Sequence, residues 1–289
     1  MKNLNLFVEL TRLNKPIGYM LLFWPCLWGL ALSYDFNNNL NDFYKYTVFF
    51  FLGSILMRSA GCIVNDIVDK NFDNKVQRTK NRPIASGKIS VSLGIFCSAF
   101  LCFLAFLVLL NFNKLTIFLA IASMPFAFSY PLMKRYTYWP QLFLGITFNY
   151  GIILGWSAIQ GSLSIEPIVF YIAAIFWTLG YDTIYGFQDI KDDEIIGIKS
   201  TSIKFKNKPK LFLNICYSVF IILIFVVGII MKFNYLYSIF LLIPLCHLFF
   251  FQIKKLDIKS GQNCLKIFKS NNIAGFLIYI NILLGKIFV

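Results

Sequence analysis

The chain has 289 residues, of which 58% are hydrophobic and 14% charged, against about 45–50% and about 25% in a soluble domain. Long uncharged apolar runs recur from Ile17 to the C-terminus, so no stretch remains for a separate water-soluble core, and soluble-enzyme classes are excluded. A formal charge of +14, from 27 Lys and Arg against 13 Asp and Glu, admits nucleic acid, a membrane surface or an anionic substrate, and the placement of the charges decides among them.

Residues 1–15 carry Glu9 and the cations Lys2, Arg12 and Lys15. That pattern is neither an Arg-rich transit peptide nor a cleavable signal, and the missing presequence points to a bacterial inner membrane. At about 20 apolar residues per span, the expected helices lie near 17–34, 43–64, 91–110, 115–130, 141–159, 167–185, 211–231, 235–251 and 273–288. The expected fold is therefore an all-α polytopic bundle of nine transmembrane helices. Continuous apolar runs lack the alternation of a membrane barrel. Brief breaks at 111–114 and 232–234 predict tight hairpins.

Counted by loop, 22 of the 27 cations fall at the N-terminus and in the four even-numbered loops. The positive-inside rule then places the N-terminus and those loops in the cytoplasm and the C-terminus outside. Topology plus one anion site accounts for the basic balance, and nothing in it requires nucleic acid. The seven cysteines are odd in number and show no CxxC spacing, as small core residues would. His247 sits in an apolar run without acidic or Cys neighbours and is expected to be packed, with no functional role.

The acids carry the signal. Eight of the 13 fall in two windows: Asp66, Asp69 and Asp73 end the second span, and Asp182, Asp189, Asp192, Asp193 and Glu194 lie in and beyond the sixth. Both windows contain DxxxD, and Asp69 and Asp73 repeat as Asp189 and Asp193, 120 residues on. Such a repeat predicts two related four-helix units, 17–135 and 141–255, plus a last helix at 273–288, in one domain over 1–289. Residues i and i+4 share a helix face, where like charges are destabilising, so a cation should lie between them. Carboxylate oxygens suit Mg²⁺ completed by substrate phosphates, and only divalent ions invert the repulsion between these acids and a diphosphate. The basic residues beyond, Arg78, Lys80 and Arg82 on one side and Lys199 and Lys204 on the other, are natural phosphate partners.

Two ionisable residues lie inside spans. Arg58 precedes Asn65 by seven residues, and Asp182 precedes Asp189 by seven, which puts both on the motif faces about 10 Å deeper. Charges at that depth face the bundle interior and have a partner or a function. They either pair with each other or serve a second substrate, Arg58 clamping an acidic group and Asp182 orienting it.

Several motifs together resemble the UbiA superfamily of intramembrane aromatic prenyltransferases, in particular its 4-hydroxybenzoate polyprenyltransferase branch of ubiquinone synthesis. They are Arg12-Leu13-Asn14-Lys15-Pro16-Ile17-Gly18 with Leu22-Phe23-Trp24-Pro25, Met57 to Cys62, Asn65 to Asp73 and Arg78 to Pro83. Further on come Tyr130 to Thr137, Tyr181 to Tyr185 and Gly197-Ile198-Lys199-Ser200. The resemblance implies a nine-helix bundle, Mg²⁺ held by Asp66, Asp69, Asp73, Asp189 and Asp193, and transfer of a polyprenyl group from polyprenyl diphosphate to 4-hydroxybenzoate within membrane lipid. It also implies Asn65 at the metal-diphosphate site, with Arg78, Arg82 and Lys199 as phosphate partners. Arg135 then holds diphosphate or the benzoate carboxylate, or anchors topology. Arg58 is expected to bind the carboxylate, and Asp189 or Asp182 to take the phenolic proton. The 33 Phe, 15 Tyr and 5 Trp supply an apolar path for the prenyl chain.

Two other readings stay open: another acceptor in the same superfamily (naphthoate, homogentisate or haem), and a divalent-cation or proton-coupled transporter. Transporters place their charged sites near the bilayer midplane on broken helices, whereas these clusters sit at helix ends beside basic loops.

Overall fold

Among residues 2–287, which the computed structural model describes, every regular element is helical. Helix α1 (Lys2–Thr11) precedes α2 (Ile17–Ser33) and the long α3 (Asn41–Val68), which breaks at Asp69 and resumes as the single turn α4 (Lys70–Asp73). A loop over 74–90 leads to the hairpin of α5 (Val91–Leu109) and α6 (Lys114–Ser129), then to a 3-10 turn (Tyr130–Leu132) and α7 (Met133–Tyr136). Helices α8 (Pro140–Asn149) and α9 (Gly151–Gln160) are two halves of one span. They are followed by α10 (Ile165–Gly186), α11 (Ile190–Ile196) and α12 (Thr201–Lys204). After α13 (Pro209–Ile230), one span combines α14 (Tyr235–Phe240), α15 (Leu242–Cys246) and a π-helical stretch (His247–Ile253). Helices α16 (Gly261–Lys269) and α17 (Asn271–Ile287) complete the bundle.

Helix is the form in which a single segment satisfies its own backbone in lipid, and polar side chains start the segments. Asn113 accepts from the Thr116 amide at 2.9 Å and Asn234 from the Leu236 amide at 2.9 Å, taking up donors that a helix start leaves free. The expected hairpins at 111–114 and 232–234 are present, the second turning through Lys232 at φ 54°.

Among the described residues eight helical stretches are long and apolar enough to cross a membrane, and α2 is a shorter apolar helix of 17 residues, about 25 Å long. Several expected boundaries move. The fifth expected span is interrupted at Tyr150, where the Asn149 side chain turns to the Gly145 carbonyl and to Thr178 of α10. The last expected helix begins earlier, at Gly261, capped by Ser260 and interrupted at Ser270. Hydropathy misses this start because α16 is amphipathic and carries Lys266 and Lys269. The expected end at 288 lies outside the described residues.

The main core lies where α2, α10 and α13 meet. Trp28 stacks on Phe170 at 5.4 Å and contacts Trp177 at 5.1 Å, and Trp177 stacks on Phe220 at 6.1 Å. Helices α2 and α9 touch backbone to backbone: a Cβ on Gly29 would lie 2.2 Å from the Ile152 carbonyl oxygen, and one on Gly155 2.3 Å from that of Cys26. Small residues at such crossings are the usual solution where lipid removes the hydrophobic drive for helices to associate. A second cluster joins α1, α3 and α5 through Leu10, Ala60, Ile63 and Leu101. The outer surface carries exposed Phe96, Phe118 and Ile229, the apolar face that lipid covers.

Candidate active site

Both acid clusters border one cavity of about 1110 Å³. Asp66 sits in the last turns of α3, Asp69 at the break that ends it, and Asp73 one turn on in α4. The expected i,i+4 relation survives the break, because the Asp73 amide donates to the Asp69 carbonyl at 2.8 Å. On the other wall Asp189 precedes α11, and the Asp193 amide donates to its carbonyl at 2.9 Å. The duplicated sequence register therefore becomes duplicated local geometry.

Each cluster is held by cations from other parts of the chain. Arg82 Nη1 lies 2.7 Å from Asp73 Oδ2 and 3.1 Å from Asp66 Oδ1, and Arg12 also donates to Asp66 Oδ1. Lys134 Nζ lies 2.5 Å from Asp69 Oδ2. Arg78 grips Asp189 in a fork, with Nε at 2.8 and 2.9 Å from its two oxygens, and donates from Nη1 to the Tyr185 hydroxyl at 3.2 Å. The loop over 74–90 is thus a strap. It begins at the first acid cluster, and its Arg78 and the Gln77 amide, which donates to Asp192 at 3.3 Å, reach the second.

Asp66, Asp69 and Asp73 are almost fully buried. Burial pushes the Asp69 carboxyl above its ordinary range against the pull of Lys134. Burial, with the Asp189 charge beside it, pushes Asp193 up to about 6. Oδ1 of Asp69 is buried without a hydrogen-bond partner. A buried carboxylate oxygen left unsatisfied beside a second acid, Asp73, suits a hard cation. The five aspartates fit a divalent metal as a donor set, although no three acidic, His or Cys side chains among the described residues already converge on one point.

Of the other expected site residues, Asn65, Arg58, Asp182 and Lys199 also line the cavity. Lys199 Nζ donates to the Tyr136 carbonyl at 3.3 Å. Arg58 and Asp182 form no ion pair among the described residues, so the pairing left open by their matched depth is not made. Instead the Arg58 guanidinium lies 5.4 Å from the centre of the Phe148 ring, and its Nε is buried without a partner.

Arg135, like Lys80 and Lys204, lies off the cavity wall. Its Nη2 donates to the Val68 carbonyl at 2.7 Å, and its guanidinium lies over the Phe72 ring at 5.2 Å. The neighbouring Lys134 faces the cavity in its place. Successive residues of a helical turn point about 100° apart, so only one member of a Lys-Arg pair meets the site. Arg12 and Lys134 were not assigned as acid partners from the sequence. The signal for both was present in the Arg12 to Gly18 and Tyr130 to Thr137 motifs.

The fold and site define a polytopic helical membrane protein whose paired carboxylates and surrounding cations fit a metal-bound diphosphate. The model of the UbiA prenyltransferase family matches residues 22–278, and the chain belongs to that family. It is 43% identical over 289 residues to 4-hydroxybenzoate geranyltransferase 1 of Lithospermum erythrorhizon, covering 99% of this chain and 92% of that one. It is 42% identical to the mitochondrial 4-hydroxybenzoate polyprenyltransferase of Rattus norvegicus, covering 98% and 75%. Among solved structures, a UbiA homolog from Archaeoglobus fulgidus bound to GPP and Mg²⁺ superposes with a TM-score of 0.71 at 18% identity, over 97% of this chain and 99% of that one. At that identity the likeness shows the fold.

Proposed function

We propose that this chain transfers a polyprenyl group from polyprenyl diphosphate to the ring of 4-hydroxybenzoate, giving 3-polyprenyl-4-hydroxybenzoate and diphosphate for ubiquinone synthesis. The observation that carries the reading is that both aspartate clusters and the intramembrane Arg58 border one cavity. The site thereby combines a metal-diphosphate end with a receptor for an acidic acceptor. The names of the curated relatives and the GPP and Mg²⁺ of the Archaeoglobus homolog support it.

In this reading Asp66, Asp69, Asp73, Asp189 and Asp193 hold Mg²⁺, which when bound supplies positive charge to the departing diphosphate. Asn65, Arg78, Arg82 and Lys199 bind diphosphate oxygens. Arg78 and Arg82 are already at the acids and have only to turn from carboxylate to phosphate. The bond between the first prenyl carbon and the diphosphate oxygen breaks, and its electron pair leaves with the diphosphate. The ring carbon beside the hydroxyl then bonds to that prenyl carbon, and the hydrogen on that ring carbon leaves as a proton, which restores the aromatic ring and returns the oxygen to a hydroxyl in place of the phenolic proton given up. Arg58 holds the acceptor carboxylate. Asp182 has no ion-pair partner among the described residues and is the carboxylate free to take the phenolic proton, whereas Asp189 is held by Arg78.

The site opens on the side of the membrane that carries the basic loops, which in a bacterial inner membrane is the cytoplasmic side. The 120-residue repeat of the acid motif supports two related four-helix units.

The test is product mass spectrometry after incubating purified protein with farnesyl diphosphate, 4-hydroxybenzoate and Mg²⁺, beside EDTA and Asp69→Asn controls. A prenylated benzoate absent from both controls is expected. Product from another aromatic acceptor alone would change the acceptor and keep the chemistry, and no transfer to any acceptor by folded protein would overturn the reading.

A further inference from the structure

Arg58 is the group in this cavity whose position has the least evident cause. No carboxylate among the described residues pairs with it, yet its Nε is buried and unpartnered. A flexible side chain with an unsatisfied buried donor stays in place only if its surroundings leave no alternative. Two residues from distant parts of the chain supply that restraint.

The first is Gly18, in the opening turn of α2. A Cβ at this position would lie 2.9 Å from Arg58 Nε, 3.5 Å from Nη2 and 3.6 Å from Cζ. The guanidinium therefore rests against the Gly18 backbone, in space that any side chain would take. This approach is held by the turn before α2, where Arg12 adopts φ 55° and its guanidinium bonds Asp66, two helical turns beyond Arg58 on α3. The second is Phe148, whose ring lies 5.4 Å from the Arg58 carbon, a distance at which a ring face attracts a cation. Phe148 is itself buried at the end of α8. The adjoining Asn149 anchors that end by donating to Thr178 Oγ1 at 2.7 Å, and Thr178 donates to the Tyr181 hydroxyl at 3.2 Å. Gly18, Arg58 and Phe148 all border the cavity.

We propose that Gly18 and Phe148 are positioning residues for the acceptor: the bare Gly18 backbone and the Phe148 ring form a slot that presents the Arg58 guanidinium to a carboxylate on the aromatic substrate. The slot sets selectivity for aromatic acids over neutral phenols of the same shape. This inference rests on the reading of Arg58 as the carboxylate receptor.

The test compares wild type, Gly18→Ala, Phe148→Leu, Arg58→Ala and the double variant Gly18→Ala/Arg58→Ala in detergent, with KM measured for each substrate and binding measured by calorimetry for 4-hydroxybenzoate and its methyl ester. Alanine favours helix over glycine, so Gly18→Ala should fold. It is expected to raise KM for 4-hydroxybenzoate about tenfold, the scale of one hydrogen bond to a charged group. KM for the prenyl diphosphate should stay within about twofold, and the preference for the acid over its ester should collapse. Phe148→Leu should act in the same direction by about threefold. With Arg58 already removed, the Gly18 change should add nothing, the signature of two residues acting through one contact.

Equal effects on both substrates, an unchanged acid-to-ester preference, or a Gly18 effect that persists without Arg58 would overturn the slot. If Arg58→Ala alone leaves the affinity for the acid unchanged, the assignment of Arg58 itself falls, and the result is distinguishable because it needs no substitution at Gly18.

Discussion

Lys134 places its ammonium nitrogen 2.5 Å from Oδ2 of Asp69, while Oδ1 of the same carboxylate is buried without a partner. The two oxygens thus differ: one is neutralised from within the protein, and the other is left without a partner in a residue of the cavity wall. Removing the cation strands a buried charge, whereas removing the acid takes away a proposed metal ligand. Lys134→Met should therefore cost about 1–3 kcal/mol of stability, read as a lower Tm in detergent that added Mg²⁺ partly restores. Asp69→Asn should keep the fold and lose at least about 100-fold in activity. An unchanged Tm for Lys134→Met would show that the pair contributes nothing.

The raised carboxyls give a pH dependence of definite sign. Asp193, pushed up to about 6 by burial and then by Asp189, binds a proton more readily in the fold than in the unfolded chain. Its effect is to make the fold relatively more stable at low pH, with the advantage lost as pH rises from the ordinary Asp range through about 6. Metal requires the ionised form, so apparent Mg²⁺ affinity should climb as pH rises through that window and level off above it. Titrations between pH 5 and 8 on wild type and Asp193→Asn check this. A wild-type affinity flat across the window is the contrary result.

Packing of α2 on α9 depends on the absence of a side chain at Gly29. A Cβ there would meet the Ile152 carbonyl oxygen at 2.2 Å, too close for any rotamer change to relieve. Gly29→Ala should part the two helices at a cost of about 1–3 kcal/mol, with lower yield of folded protein and a lower Tm. Gly53→Ala is the control, since a Cβ there meets nothing within 4 Å.

A buried polar network ties the π-helical stretch to the bundle. Gln252 accepts from the Tyr217 hydroxyl at 2.6 Å and donates to Asn271 Oδ1 at 3.0 Å, and Asn271 also accepts from Trp177 Nε1 at 3.0 Å. Gln252→Leu strands the Tyr217 hydroxyl in a fully buried site and should cost about 1 kcal/mol or more. Adding Tyr217→Phe should recover part of the loss. If the double variant is no more stable than the single one, the hydroxyl is not the source of the cost.

The residues of this chain were enough for the helical membrane class, because continuous apolar runs of span length lack the alternation of a barrel strand and leave the helix as the way to satisfy their backbone in lipid. The paired DxxxD motifs were equally legible, since a spacing of four sets side chains on one face whatever surrounds the helix. The family resemblance rested on the same local motifs. Contacts between distant segments were a different matter. That Arg78 reaches across to Asp189, that Lys134 rather than Arg135 faces the acids, and that Arg58 lies against Gly18 and Phe148 instead of pairing with Asp182 all depend on how helices far apart in sequence pack. Periodicity carries the face a residue occupies on its own helix, but the neighbour on that face is decided by tertiary packing, where gaps between backbones such as those at Gly18 and Gly29 determine which side chains meet.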